Sequence, residues 1–461
     1  MLDETEGRDM ARHLIYSAFV HLTPSHESHG FWRHPEGRHM VDYGSISAWT
    51  EVVQTLERAR FDMVFFGDTV GVYDTHQGSS EPAVRNGMQF PGRDPAPYVA
   101  ALSRATSDIG FVFTSAMLQE PPFTFARKVS TLDHLSDGRV GWNIVTSYLD
   151  NAAQNYGLET LPDHDARYAW AEEYTDVTYR LWEGSWEEGA LVADPERGVL
   201  VDPKLVHRVD HHGERYQVAG PHLVEPSPQR TPLLVQAGAS AAGTAFAARH
   251  AEMSFVPSSV PEATGRTVAN LKDQAVAAGR GRDDIRAIVN LAPILGSTVA
   301  EAQARQREFR EWLDVDGLCS FLSGIFGVDL STVDPDRTLE SISETRAVQG
   351  TLRSIIDRYP DRSVTFGEML KGYAFSGQLA GTPETIADEI AAWADAGVDG
   401  FNIIPVTTLG WWAEFTEHVV PVLQRRGLMR TEYAPGTLRE KLFGADARLP
   451  EVHPARRYSR R

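Results

Sequence analysis

The segment ISAWTEVVQTLERARFDMVFFGDT (46–69) joins an amphipathic helical pattern to a short apolar run that ends next to Asp68. Apolar residues recur at helical spacing in its first part, whereas FDMVFF (61–66) has the continuous apolar pattern of a strand buried on both faces. Parallel strands need a crossover between them, and a helix is the usual one. The segment therefore predicts one repeat of a parallel α/β fold, with Asp68 at the carboxyl end of a strand.

The same alternation continues along the chain. Further strand candidates, separated by helical patterns such as 121–135 and 383–397, are 14–20, 108–116, 139–147, 232–238, 251–258, 285–295 and 398–406. Eight strands that alternate with helices favour a closed (β/α)8 TIM barrel over an open sheet. The segments 185–231 and 314–376 interrupt the alternation. We therefore expect one barrel domain, residues 1–461, with these two insertions at its C-terminal face and 314–376 as a lid.

The composition excludes several classes of protein. Acidic residues outnumber basic ones by 63 to 44, which gives a formal charge of −19 and argues against nucleic acid as a partner. No run of about 18 apolar residues is present, so we expect no membrane span. The charged start MLDETEGRDMAR does not resemble a signal peptide, which predicts a cytoplasmic protein. The five arginines of RLPEVHPARRYSRR (448–461) are interpreted as a solvated basic tail.

The single cysteine, Cys319, excludes an intrachain disulfide framework and a metal site built from cysteines. It lies in the apolar run CSFLSGIF, which favours a packing role over a nucleophile. Histidines 21, 26, 29, 34 and 39 are clustered after the first strand candidate, but neither HxH nor HExxH occurs among them. We predict no metal, and we interpret this loop as a wall on the substrate side.

Polar residues at the ends of the strand candidates are the first candidates for a site. Asp68 follows the second strand, Thr114 ends the third, and Asn143 lies inside the apolar fourth strand. Carboxyl ends of barrel strands are where active sites form. Each residue also has a structural interpretation: an Asx-turn for Asp68, ordinary strand material for Thr114, and a satisfied buried amide for Asn143.

Two helix starts are the next candidates. HDARY (164–168) places His164 and Tyr168 on one helix face, and QAGASAAG (236–243) places Ser240 in a turn of small residues before a helix. Helix N-termini attract anions, so both segments suit a phosphate. Surface packing of His164 and Tyr168, and an ordinary tight turn at Ser240, are the alternatives.

Taken together, these segments resemble the nitrilotriacetate, dibenzothiophene-sulfone, long-chain alkane and dimethyl sulfide monooxygenase branch of the bacterial luciferase-like superfamily. The resemblance is carried, in order, by HGFWRHPE, LERARFDMVFFGD, STLDHLSDGRVGWNIVTSYLDNAAQNYG, HDARY, LWEGSWE, PSPQRTPLLVQAG, AGVDGFNIIP and REKLFG. It implies FMN at the strand ends, with Asp68 and Thr114 near the isoalloxazine ring and Asn143 as a further contact. It also implies that His164, Tyr168 and Ser240 surround the phosphate.

The implied activity is that of a two-component monooxygenase. Reduced FMN, supplied by an NAD(P)H-dependent flavin reductase, would react with O2 to give a C4a-hydroperoxide that oxygenates a small organosulfur or alkane-like substrate. No embedded NAD(P)-binding fingerprint is evident, in line with a separate reductase. We expect a homodimer or homotetramer. The alternatives are a deazaflavin-dependent oxidoreductase of the same superfamily and a flavin-binding relative without turnover.

The substrate pocket departs from the alkane pattern. His26, Tyr73 and Gln89 match pocket positions of alkane monooxygenases. Thr23, however, stands where those enzymes have a cysteine, and Tyr148 stands where they have a histidine. The resemblance therefore leaves the substrate open between an alkane and a small organosulfur compound.

Overall fold

The computed structural model describes residues 13–24, 30–238, 240–257, 260–327, 329–332, 338, 365, 378–407 and 410–460. Its strands are β1 (Ile15–His21), β2 (Met63–Gly67), β3 (Gly110–Ala116), β4 (Val140–Val145), β5 (Leu191–Asp194), β6 (Val199–Val201), β7 (His211–His212), β8 (Gln217–Val218), β9 (Leu233–Gln236), β10 (Met253–Phe255), β11 (Arg286–Leu295), β12 (Gln378–Gly381) and β13 (Gly400–Ile403).

Eight of these strands form a closed parallel barrel. Their order is β1-β2-β3-β4-β9-β10-β11-β13, and β13 pairs with β1 to close the ring. All eight fall on the predicted candidates, and the (β/α)8 prediction is confirmed. Most are shorter than their apolar runs, because burial of apolar residues continues into the adjoining turns: Phe61, for example, is fully buried although it precedes β2.

The helices lie between the strands, as the alternation predicted. They are α1 (Ile46–Arg58), α2 (Glu81–Asn86), α3 (Pro95–Ser103), α4 (Pro122–Leu135), α5 (Asp150–Asn155), α6 (His164–Gly184), α7 (Ala241–His250), α8 (Pro261–Ala277), α9 (Val299–Glu311), α10 (Val315–Phe326), α11 (Pro383–Asp395), α12 (Gly410–His418), α13 (Val420–Arg425) and α14 (Leu438–Phe443). Among the described residues, no helix is long and apolar enough to cross a membrane.

The lower half of the barrel is filled by side chains. Inward-facing residues of the strands form one buried cluster, which comprises Ile15, Met63, Phe65, Val112, Leu233, Val235, Met253 and Ile288. Leu438 and Leu442 of α14 join this cluster from below, so α14 covers the end of the barrel at which the strands begin. Any ligand cavity inside the barrel is therefore restricted to the opposite end.

The two insertions have more regular structure than their composition suggested. Within 185–231, β5 pairs with β6 and β7 with β8 as short antiparallel ladders. Within 314–376, the described part contains α10, which places Cys319 in a helix. The helical pattern TRAVQGTLRSIIDRY (345–359) lies outside the described residues.

Strand β12 was not predicted from the sequence. It pairs with Ala292–Leu295, the last part of β11, whereas β13 pairs with Ile288–Leu291. The missed signal is weak because QLAG has only four residues and no alternation. The first half of β11 thus belongs to the barrel, and its second half forms an additional ladder with β12.

The interpretation of residues 448–461 as a solvated tail is wrong for Arg448, His453 and Arg456. Arg448 forms an ion pair of 2.8 Å with Glu183, a carboxylate of α6 with no exposed surface, and Arg456 approaches the same group at 3.3 Å. His453 is buried and hydrogen-bonded to the backbone carbonyl of His250 at 2.9 Å. The basic residues are held because buried carboxylates on α6 need cationic partners, a long-range requirement that the local sequence does not show.

Candidate active site

A cavity of about 350 Å³ opens at the carboxyl ends of the barrel strands. Six of the ten residues predicted for the site line this cavity: Asp68, Gln89, Thr114, Asn143, Tyr168 and, at its mouth, Tyr148. Tyr73 is hydrogen-bonded to two of these. This position, above a filled barrel interior, is the usual place for an active site in this fold.

One wall of the cavity combines Thr114 and Asn143 from neighbouring strands. The Asn143 amide Nδ2 donates to the Thr114 hydroxyl at 3.0 Å, so that hydroxyl keeps its own proton for another acceptor. The amide oxygen of Asn143 is buried without a hydrogen-bond partner. A buried, unpaired amide oxygen is costly, which favours a ligand that donates to it.

Aromatic side chains form the floor of the cavity. The rings of Phe19 and Phe65 stack with centroids 4.8 Å apart, and the ring of Phe255 lies 4.7 Å from that of Phe65. All three line the cavity, and they rest on the apolar cluster that fills the lower barrel. The floor is therefore dry, and it suits the face of a planar ligand.

A second wall brings together the starts of α6 and α7. Tyr168 of α6 accepts from the Gln236 amide at 3.4 Å and lies beside Ser240, the N-cap of α7. The Ser240 hydroxyl oxygen accepts from the Gly243 N–H at 3.0 Å. A Cβ at Gly238 or Gly243 would lie 2.7 or 2.6 Å from the Tyr168 hydroxyl. These glycines therefore let the backbone at the start of α7 approach the Tyr168 hydroxyl closely.

His164 is placed differently from the other predicted residues. Its side chain is 45% exposed and paired with Asp165 at 3.0 Å, and its ring packs beside Tyr168 with centroids 5.1 Å apart. It is at the rim and is not part of the cavity wall. Next to it, Arg167, which the sequence analysis did not single out, has a buried Nε atom without a hydrogen-bond partner.

A chain of polar groups forms the mouth. Thr69 and Tyr73 both donate to the Gln89 side-chain oxygen, at 3.0 and 2.9 Å, and the Tyr73 and Tyr148 hydroxyls are 2.7 Å apart. Phe321 of α10 packs edge-on against Tyr73 with centroids 5.2 Å apart. Helix α10 therefore covers this end of the cavity. His26 lies outside the described residues.

The backbone at the mouth is strained at two positions. Gln89 (φ 48°) and Ser147 (φ 60°) both line the cavity in the left-handed region, which non-glycine residues adopt at a cost. Such strain is typical of functional sites, because the surrounding structure has to hold it in place.

Several lining residues were not predicted. Gln119, Asn290 and Asn402 are polar, and the Asn402 amide donates to the Asn290 side-chain oxygen at 3.1 Å. The sequence signal was available for Asn402, which interrupts the apolar strand GFNI just as Asn143 interrupts VGWNIV. His21 was assigned only to the loop wall; it lines the cavity, and burial lowers its pKa to about 4.

The structure separates the histidines of the first loop. His21 is in the cavity wall, whereas His34 packs against Phe309 and pairs with Glu308 at 3.3 Å. Within the described ranges, no three histidine, cysteine or acidic side chains are grouped as metal ligands. For Cys319, burial raises the pKa of the thiol to about 11, which makes it a poor nucleophile.

A closed (β/α)8 barrel with a polar-rimmed, aromatic-floored cavity at its strand ends defines an enzyme of the TIM-barrel class. The family model described as luciferase-like monooxygenase matches residues 26–400. The chain therefore belongs to the luciferase-like monooxygenase family, and its activity is that of a monooxygenase.

Individual relatives span almost the whole chain. The dimethyl-sulfide monooxygenase of Hyphomicrobium sulfonivorans is 39% identical over 97% of this chain and 94% of its own, and the crystal structure of DmoA from that organism superposes with a TM-score of 0.89. The long-chain alkane monooxygenase of Geobacillus thermodenitrificans is 39% identical over 97% and 98%. The structure of riboflavin lyase RcaE with modified FMN and riboflavin has 32% identity, 97% and 100% coverage and a TM-score of 0.90.

Proposed function

We propose that the protein is the oxygenase of a two-component system, which takes reduced FMN from an NAD(P)H-dependent flavin reductase and oxygenates a small organosulfur or alkane-like compound. The observation that carries this proposal is the cavity that joins Asp68, Thr114, Asn143 and Tyr168 above a flat aromatic floor. When bound, reduced flavin supplies the two electrons with which one oxygen atom of O2 enters the substrate and the other becomes water.

The residues present fit FMN. Gly238 and Gly243 leave room for a group close to the Tyr168 hydroxyl, and the start of α7 offers N–H groups to an anion. The half-buried Arg167 guanidinium adds positive charge there, with an Nε that has no partner. We assign the phosphate to Tyr168, Ser240, Arg167 and the α7 start, with His164 at the rim.

The remaining cavity residues would orient the ring and exclude water. Thr114 keeps a hydroxyl proton to donate, and Asn143 keeps an amide oxygen to accept. Phe321 and Leu149 cover the cavity from the side of α10 and the loop after β4. A dry, closed cavity is needed because reactive oxygen species formed in an open one decay without oxygenating the substrate.

The mouth favours an organosulfur compound over an alkane. Tyr148 stands where alkane monooxygenases have a histidine, and its hydroxyl, with those of Tyr73 and Thr69, makes this end polar. A polar mouth suits a sulfur or sulfinyl group better than an all-hydrocarbon chain. One relative at 39% identity is named for dimethyl sulfide and the other for long-chain alkanes, so their names do not decide between these substrate classes. Both relatives are monooxygenases, which favours FMN over a deazaflavin.

The test is oxygen consumption with reduced FMN, a flavin reductase and a panel of sulfides, sulfones and alkanes. We expect oxygenated product from at least one sulfur compound, in amounts that match the oxygen consumed. Failure to bind reduced FMN at micromolar concentration would refute the assignment, and binding without product from any compound would support the non-catalytic alternative. Ser240→Ala should weaken FMN binding more than His164→Ala, since only Ser240 lies against the Tyr168 hydroxyl.

A further inference from the structure

A second, smaller cavity adjoins the wall that carries Thr114 and Gln119. It has a volume of about 100 Å³, shares Thr114 and Gln119 with the large cavity, and is called the side chamber below. Its other lining residues are Asp94, Phe113, Ser115, Glu120, Lys128 and Tyr156. Asp94 and Tyr156 are exposed, so the side chamber is open to solvent.

Gln119 connects the two cavities in a fixed orientation. Its Oε1 accepts from the Ser115 hydroxyl at 3.1 Å and from the backbone N–H of Ala116. A backbone N–H can only donate, so the amide cannot be turned around. Nε2 is therefore the donor that Gln119 presents to the carboxyl of Asp68 and the hydroxyl of Tyr156, and it lowers the pKa of both groups.

Asp68 is a carboxyl group without a cation. Within the part of the chain that the structure describes, no Lys, Arg or His forms an ion pair with it, and the nearby Lys128 is paired with Glu120 at 2.7 Å. The negative charge that acts on it is that of Asp94, which lines the side chamber. His21, on the cavity side, is neutral because burial lowers its pKa to about 4.

These surroundings favour the protonated carboxyl. Burial raises the pKa of Asp68 to about 7, and the negative charge of Asp94 acts in the same direction. Hydrogen bonds from the Thr69 backbone N–H and from Gln119, and the charge of Lys128, act against this rise without cancelling it. The Tyr156 hydroxyl is the remaining titratable group beside Gln119.

We propose that Asp68 faces the large cavity as a neutral carboxylic acid that donates a hydrogen bond to an anionic ligand, with Gln119 and Asp94 as its positioning residues. Gln119 holds the carboxyl in place, and Asp94 opposes loss of its proton. The inference rests on the proposed function, because reduced flavin is the anionic ligand that it fits. A carboxylate would repel that anion, whereas the neutral acid donates to it and keeps its proton.

The protonation state can be measured directly by infrared spectroscopy of the purified protein over pH 5–9. We expect the carbonyl band of a protonated carboxyl group to disappear with a midpoint near pH 7, and to be absent in Asp68→Asn. Asp94→Asn should lower that midpoint by about half a pH unit, since an exposed charge acts weakly. Gln119→Leu should raise it by about the same amount, because a donor to the carboxylate is lost.

The matched control is Glu262→Gln, which removes an exposed carboxylate at the start of α8. It should leave the midpoint unchanged. The proposal is overturned if the band does not titrate in this range, if it persists in Asp68→Asn, or if Asp94→Asn moves the midpoint no more than the control does. Asp94 is exposed and caps α3 by accepting from the Ala96 N–H, a bond that asparagine can also accept. The Asp94→Asn arm therefore does not depend on whether the buried variants fold.

Anaerobic titration with reduced FMN tests the donor role. We expect Kd to rise about tenfold between pH 6 and pH 8.5 in the parent protein and to stay constant in Asp68→Asn, where the amide donates at every pH. Equal pH dependence in both proteins would refute the donor role. If reduced FMN binds neither protein at any pH, the proposed function fails, whereas the infrared titration still decides the protonation of Asp68.

Discussion

The Tyr168 hydroxyl shows how single side chains make the site. It accepts a hydrogen bond from the Gln236 amide nitrogen at 3.4 Å and lies close to Ser240, in space that Gly238 and Gly243 leave open. Burial raises the pKa of Tyr168 above its ordinary value, so its hydroxyl is protonated at neutral pH. A permanent donor beside a helix start is suited to a phosphate.

Tyr168→Phe should therefore weaken FMN binding by about 10- to 100-fold, the usual range for a lost hydrogen bond to a charged group. Flavin fluorescence quenching measures this affinity. The control is Tyr98→Phe, which loses a hydroxyl bonded to the Gly44 carbonyl on the outside of the barrel. Equal affinity in the two variants would contradict our assignment of Tyr168 to the phosphate.

Cys319 gives a second prediction that concerns a single residue. With the pKa of its thiol raised to about 11 by burial and by the charges of Asp316 and Asp314, its thiolate fraction at pH 8 is roughly 100-fold below that of a free cysteine. Alkylation by iodoacetamide should be slower by about that factor, as mass spectrometry can follow. Labelling at the rate of free cysteine would show that α10 opens readily.

Residues at strand ends were predictable because barrel topology places them at one edge. The strand pattern alone was enough to predict that Asp68, Thr114 and Asn143 lie close together. Gln119 lies in the loop after β3, and Asp94 lies in the loop before α3. Nothing in the sequence around either residue indicates that it acts on Asp68. Their role depends on side-chain orientation across elements, which the sequence pattern does not encode.

At the scale of elements, α14 matters beyond its six residues. Its Arg439 is buried and forms two contacts with Glu252, at 2.6 and 2.9 Å, and donates to the carbonyls of Thr231 and Pro232 at 3.0 Å each. The helix begins with a capping box between Thr437 and Glu440. The Arg439 guanidinium group thus adds charged hydrogen bonds to the apolar packing of Leu438 and Leu442, which together hold this short helix at the bottom of the barrel.

Arg439→Met should lower the free energy of unfolding by about 3–5 kcal/mol, because it leaves Glu252 charged, buried and unpaired. Adding Glu252→Gln should restore part of the loss. Asp388→Asn, which breaks an exposed pair with Arg426, should change stability by no more than about 0.5 kcal/mol. Urea denaturation measures all three, and similar losses for Arg439→Met and Asp388→Asn would disprove the buried-pair explanation.

The elements that the sequence did not reveal share one property. Strand β12 and the docked residues 448–460 are defined by their partners, β11 and α6, and not by their own pattern. The eight barrel strands, in contrast, consist largely of apolar residues, so their own sequences indicate that they are buried. Local periodicity therefore predicts the barrel and misses what is attached to it.

For the whole molecule, the attachment of the C-terminal residues makes stability depend on pH. Burial alone would raise the pKa of Glu183, but the hydrogen bonds and charge of Arg448 outweigh it, so the pKa is lowered. Burial lowers the pKa of His453 well below its ordinary value, and the charge of Arg280 adds to this. Both groups thus take up protons more readily when the chain unfolds.

Folding lowers the pKa of both Glu183 and His453, so both residues change the stability in the same direction as the pH falls. The folded protein loses stability as pH falls below about 6.5, where an unfolded histidine gains a proton, and again below about 4.5, where an unfolded glutamate does. His453→Gln should reduce the slope of unfolding free energy between pH 6 and pH 5 by about 1.4 kcal/mol per pH unit. His418→Gln, at an exposed position, is the control; an unchanged slope in His453→Gln would refute the prediction.

In the part of the chain that the structure describes, the filled lower barrel and the aromatic floor close the deep end of the cavity. Whatever occupies the deep part has to arrive before, and depart after, whatever occupies the mouth. For two reactants this geometry dictates a compulsory order: the planar molecule against Phe19, Phe65 and Phe255 enters first, and the smaller one beside Tyr148 follows. Initial-rate kinetics should accordingly follow an ordered sequential scheme, in which excess of the second reactant traps the first inside.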